Sequence, residues 1–317
     1  MTSTDEQDLG SVPAAAGPTP DAPAARERRR LGSSARALFA RGGLVQGIVL
    51  AALVLFLVVV AVFPDWITPG DPTASVGGAL TGPSPTHLFG TDSLGRDVLT
   101  RTVWGAHPIL FASVSGILIA TVIGVSLGLL GGMTSGFVSG LVMRILDVML
   151  ALPALLIALM VVAIVGTGVT SIVIAVGVAY IPAFARVVYS SVKRLSTADY
   201  IAAARLFGSS RPRTVVRHLL PNLATEIAVV ASSAIGWAVL TATTLSFLGF
   251  GVSLPAPDWG VDLSSGGQFL ETAWWISTFP GLAITATILL SNYLGDYVSS
   301  VLDPRHTIRV RQPWLPT

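Results

Sequence analysis

Six runs of apolar residues dominate the chain, at 44–63, 109–132, 137–166, 170–185, 224–247 and 274–298. A stretch of about 20 such residues is long enough to cross a lipid core as a helix. In lipid every backbone N–H and C=O must be satisfied within the spanning structure, and a helix does this alone. The chain is therefore expected to be an all-α polytopic membrane protein with six transmembrane helices. Its composition agrees: 52% of the 317 residues are hydrophobic and 11% are charged, against about 25% charged in soluble domains. There are no cysteines, which excludes disulfides and thiolate metal sites.

Residues 1–43 differ in kind. They are rich in Pro and Ala and end in a basic stretch that includes "RERRR". So little apolar surface predicts a disordered tail. Acids near its start, and an apolar run that begins too late, argue against a signal peptide. Basic residues beside the spans predict the orientation. With the N-terminus inside, the inner segments 1–43, 133–136, 186–223 and 299–317 hold sixteen Lys and Arg, and the outer ones hold only Arg96 and Arg101. This places both termini in the cytoplasm and 64–108 outside. The basic residues adjoin apolar spans, so anionic lipid is an expected partner and nucleic acid is not.

Within this greasy chain, "STADYIAAARLFGSSRPRTVVRHLLPN" (196–222) stands apart. Counted from Arg186 to Arg217, seven basic groups at mid-membrane would cost on the order of 20 kcal/mol, so the segment is expected in the cytoplasm. It has helical grammar. Ser196 and Asp199 form a capping box. Ala202, Ala203 and Ala204 favour helix, and Gly208 suits its C-terminal end. Ser209 or Ser210 caps a second helix, with Pro212 in its first turn. Val215, Val216, Leu219 and Leu220 make an apolar face opposite Arg213 and Arg217, and Pro221 ends it. Such a pair of short helices suits either an interfacial element on lipid headgroups or a docking element for a cytoplasmic partner. Periodicity does not choose between them.

Other features have structural readings. Ala112, Gly116, Ala120, Gly124, Gly128, Gly132, Gly136 and Gly140 recur every fourth position, spacing that lets helix backbones approach. "GVSLG" (124–128) fits a hydrolase elbow, but it lies inside an apolar helix. Arg144 and Asp147 are expected to pair on the third span. Pro153 and Pro182 are expected to kink their helices. Asp92, Arg96, Asp97 and Arg101 have the spacing of a salt-bridged interfacial helix. Trp274 and Trp275 suit a membrane boundary. Ser233, Thr241, Thr244 and Ser246 are candidates for a polar substrate path, although each can bond its own backbone. The four histidines are scattered, and no metal site is expected.

"AAARLFGSSRPRTVVRHLLPN" (202–222) resembles the EAA loop of ABC importer permeases, with Ala203, Ala204, Gly208, Pro221 and Asn222 matching. "FGTDSLGRDVLTRTVWG" (89–105), "LSFLGFGVSLPAPDWG" (245–260) and the ending "LDPR" resemble segments of the DppC/OppC-like permeases of dipeptide, oligopeptide and nickel importers. The matches span about 85–305, four in the family's order. The resemblance implies a type I ABC importer permease fold with cytoplasmic coupling helices: a first transmembrane helix (44–63), a permease core (109–303) with its coupling loop at 196–222, and a C-terminal tail (304–317). It also implies location in a bacterial cell membrane. The implied activity is ATP-driven peptide import, or import of nickel chelates or another small solute by the same machinery. The expected partners are a paralogous second permease, one or two ABC ATPase subunits and an extracytoplasmic solute-binding protein. Ala202, Ala203, Ala204, Gly208, Arg211, Arg217, His218 and Pro221 would form the ATPase-docking surface. Ala202 occupies the family's glutamate position.

The energy source follows from a missing motif. A P-loop needs G-x-x-x-x-G-K-[ST], and the sole lysine, Lys193, follows "YSSV". The chain is therefore expected to be non-catalytic, with ATP and magnesium bound by partner subunits. An ion-coupled transporter would want acids on a coupling path, for which only Asp147 and Asp296 stand out.

Overall fold

A computed structural model describes residues 45–197, 199 and 210–302. Chain contacts divide the molecule into Met1–Val49 and Leu50–Thr317. Of the first unit only the opening turn of helix α1 (Val45–Val62) is described. The second holds α2 (Val98–Trp104), α3 (Ala106–Met133), α4 (Phe137–Leu150), α5 (Ala154–Val165), α6 (Val169–Ser196), α7 (Leu220–Leu245), α8 (Trp259–Gly266) and α9 (Trp275–Leu302). Among the described residues there is no strand, only two isolated bridges, Ser75 with Arg96 and Thr91 with Asp97. Among the described residues four helical stretches are long and apolar enough to cross a membrane, or five if a bent pair counts as one span.

That pair is α4 and α5, read from sequence as a single helix over 137–166. They meet at 96°. The break falls at Ala151–Pro153, where Pro153 is extended (ψ 135°) ahead of α5. Proline has no N–H to donate, and its ring crowds the preceding turn. Pro182, by contrast, is carried inside the continuous α6 and is buried. The short link between α5 and α6 turns on Gly166 (φ 100°) and Gly168 (φ 116°). These backbone conformations cost a side-chain-bearing residue steric strain.

The core is the α3–α6 pair. A Cβ built on Gly116 would lie 2.6 Å from Val176 Cγ1, one on Gly124 2.6 Å from Phe184 Cβ, and one on Gly132 2.7 Å from Val192 Cβ. The small residues thus form the seam along which α6 lies, with Ala112 and Ala120 buried between them. The seam ends there. Gly136 and Gly140 have nothing within 4 Å of a built Cβ, because the chain has turned into α4.

At one end of the bundle, which we call the loop end, residues 64–97 and 251–274 fold over the helices. The expected interfacial helix over Asp92–Arg101 does not form. Asp97 instead caps α2, accepting from Thr100 N at 2.8 Å, so only Arg101 of the four lies within a helix. Arg96 Nε donates to Asp92 Oδ2 at 2.6 Å. Arg101 reaches across the fold to Asp262 through Nε (3.1 Å) and Nη2, and donates to the carbonyl of Pro255 (3.0 Å). Trp275 is not a boundary anchor: it is buried, and its Nε1 donates to Thr91 O at 3.0 Å. Trp259 does the same with Thr102 O at 2.6 Å. Trp274 remains half exposed.

Asp258 caps α8, accepting from Gly260 N (2.8 Å), Val261 N (3.2 Å) and Ser246 Oγ (3.0 Å). Burial pushes its carboxyl up to about 6, and these hydrogen bonds offset only part of the cost of ionising it. The folded state thus holds this proton more tightly than the unfolded chain does. Stability should therefore fall as pH rises from about 4 to about 6, then level off, by an amount on the order of 3 kcal/mol. Thermal unfolding against pH checks this. Asp258→Asn should flatten the fall over that window, and an unchanged profile in the variant would assign it to another group.

Candidate functional site

The opposite, basic end of the bundle carries Lys193, Arg194, Arg213 and Arg217. Here α6 ends at Ser196 and α7 begins at Leu220. Of the expected docking residues, Ala202, Ala203, Ala204 and Gly208 lie outside the described residues. Arg211 opens a helical turn, Arg211–Thr214, which passes into a π turn, Val215–Leu219. Arg217 and Pro221 are exposed and His218 is half-buried. The His218 carbonyl accepts from Asn222 Nδ2 at 2.6 Å.

The π turn changes the expected face. Val215, Val216, Leu219 and Leu220 would share one side of a regular helix. An i→i+5 turn adds a residue and rotates the register. Leu219 is buried, whereas Val216 is 66% exposed. Val216 instead lines a shallow concavity of about 670 Å³ with Arg213, Arg217 and Pro221. An apolar spot beside two guanidinium groups can take an apolar side chain together with acidic or carbonyl oxygens.

Behind this surface the segment is firmly seated. Leu219 and Leu223 pack with Val188 and Val192 of α6 in a buried cluster. Lys193 Nζ donates to Thr134 O, just past α3, at 3.3 Å. Glu226 of α7 accepts from Ser191 Oγ and from Arg194 Nη2, both of α6. Beside Glu226 lies a cleft of about 810 Å³, lined also by Val187, Arg194, Val229 and Ser299. Sequence reading passed over Glu226, although a lone acid in an apolar span was itself a signal. The partner of Asp147 differs from the one its spacing suggests. Asp147 pairs with Arg186 of α6 at 2.9 Å, not with Arg144 three residues away. The pair joins α4 to α6, and Arg144 is left exposed.

The candidate path residues sit in different surroundings. Ser233 donates to Val229 O (3.1 Å) and Thr244 to Leu240 O (2.7 Å), each within its own helix. Thr241 is buried and meets Tyr180 Oη at 3.0 Å. Ser246 is buried against Asp258. Ser233, Thr241 and Thr244 thus lie on α7, and Ser246 just past its end. Among the described residues, no cluster of His, Asp or Glu has the makings of a metal site.

The chain is thus a bundle of membrane-length helices with a basic, well-seated turn at one end. The family model described as "binding-protein-dependent transport system inner membrane component" matches residues 120–308, and the chain belongs to that family. It is 37% identical over 270 residues to the di/tripeptide transport system permease protein DppC of Pseudomonas aeruginosa, covering 83% of this chain and 88% of that one. It is 40% identical over 257 residues to the glutathione transport system permease protein GsiD of Escherichia coli O1:K1, covering 80% and 85%. Among solved structures it resembles an inward-facing MetNI methionine ABC transporter, with TM-score 0.51 and 19% identity, over 65% of this chain and 96% of that one. This last likeness is one of fold.

Proposed function

We propose that this chain is one permease subunit of an ATP-driven ABC importer whose cargo is a short peptide. The carrying observation is the seated basic turn at 211–221, which presents Arg213, Val216, Arg217 and Pro221 outward while Leu219 and Leu223 lock it to α6. A lipid-facing loop needs no such rigid mounting, whereas a surface that receives force does. Peptide cargo is supported by the curated relatives, named for di/tripeptide and glutathione transport.

In this reading α9 is the sixth span. It is 28 residues long, about 42 Å at 1.5 Å per residue, but is diluted by hydroxyl and amide side chains. Both termini and the segment 197–219 lie in the cytoplasm, and the loop end faces outward toward a solute-binding protein. A second permease completes the pathway, and one or two ATPase subunits dock on 202–221 and supply ATP and magnesium.

Reconstitution tests it. Vesicles holding this chain, the second permease and the ATPases, supplied with the solute-binding protein and peptide at the loop end, should import peptide only when ATP is hydrolysed, with no need of a proton gradient. Gly208→Trp should insert normally yet lose uptake. Import driven by a proton gradient without ATP would overturn the reading.

A further inference from the structure

The segment 197–219 joins α6 to α7, and those two helices are tied together just inside its base. Glu226, almost two turns into α7, accepts from Ser191 Oγ and Arg194 Nη2, the latter less than one turn from the end of α6. Leu219 and Leu223 close the same joint with Val188 and Val192, and Lys193 extends it to the end of α3.

The Arg194–Glu226 pair is poorly placed to stabilise the fold. The arginine side chain is 58% exposed and the glutamate 35% exposed, and water screens such pairs. An acid in an otherwise apolar span is also costly to keep. Its placement serves a mechanical purpose better. It spans only the two helices that the loop would otherwise push separately. The cleft beside it is lined by Glu226 of α7, Arg194 of α6 and Ser299 of α9. Any motion of a joined α6–α7 block against α9 must change the width of that cleft.

We infer that Glu226 is a positioning residue for transport: it clasps α7 to α6 at the base of the loop, so that force arriving at the loop moves both helices as one block. The inference rests on the proposed function and names the residue through which its coupling passes.

The test uses the complete reconstituted importer and reads ATP hydrolysed per peptide imported. Glu226→Gln and Arg194→Gln should leave ATP hydrolysis near the wild-type rate while uptake falls about tenfold, within the range of ordinary coupling free energies, so that the ratio rises. Exchanging the charges, Arg194→Glu with Glu226→Arg, should bring the ratio back toward wild type. A wild-type ratio in Glu226→Gln overturns the clasp, as does a proportional loss of hydrolysis and uptake in an assembled complex. Should Glu226→Gln fail to assemble, Ser191→Ala removes one arm only: a raised ratio supports the clasp and an unchanged ratio overturns it. A wild-type importer that needs no ATP would sink the functional reading before any variant is compared.

Discussion

Arg101→Leu is expected to be among the most damaging single changes at the loop end, lowering stability by roughly 3–5 kcal/mol. Arg101 is 3% exposed and Asp262 5%. The guanidinium holds Asp262 with two of its nitrogens, donates to the Pro72 and Pro255 carbonyls at 3.3 and 3.0 Å, and lies 3.9 Å from Asp92. Leucine replaces the stem but leaves a buried carboxylate unpaired, and that orphaned charge is the larger part of the cost. Total stability is typically about 5–15 kcal/mol, so such a loss takes much of the margin. Chemical denaturation of the purified subunit measures it. Arg101→Leu combined with Asp262→Asn should lose less than the two single changes summed, because the second change removes the charge the first strands. Additive losses would show that the two side chains are not energetically coupled.

Gly128→Leu should be comparably severe. A Cβ at 128 falls 2.7 Å from Ala185 O and 2.7 Å from Val188 Cβ. The first of these neighbours is backbone, so the helices themselves must part, and a single-atom relaxation does not suffice. Overpacking of this kind costs about 1–3 kcal/mol and occasionally more. The upper end is expected here because the α3–α6 seam is continuous. Gly140→Ala is the control. Nothing lies within 4 Å of its built Cβ, and alanine favours helix over glycine by about 1 kcal/mol. Thermal melts in lipid should show a clear loss for the first and none for the second. Equal behaviour would mean that α3 and α6 are not packed along these glycines.

Much of the bundle was legible in the residues. α3, α6 and α7 appear close to where the apolar runs lie, and the fourfold small-residue spacing marks the face that α6 covers. Both are local periodic signals, and a helix converts them directly into a face. Legibility failed wherever a partner had to be chosen. Asp147 had an arginine at helical spacing and took one from another helix. Asp92 to Arg101 had helical spacing, but Asp92 to Asp97 forms a loop that caps α2, and Arg101, inside α2, takes an acid 161 positions away. Trp275 resembled a boundary residue until its indole N–H met the carbonyl of Thr91. Glu226 went unread because its meaning lies in the end of α6, not in its own neighbours.

The residues alone determined that this is a helical membrane protein, that its charges gather at the ends of its spans, and that it carries no P-loop. The free energy of leaving water belongs largely to each side chain, whatever it later touches, so a running sum over the chain suffices. The tertiary structure decided which acid meets which base, where the third apolar run breaks, and which face of 211–221 looks outward. A buried charge or indole takes the partner that the packing of distant segments brings within hydrogen-bond reach, and no spacing along the chain encodes that distance.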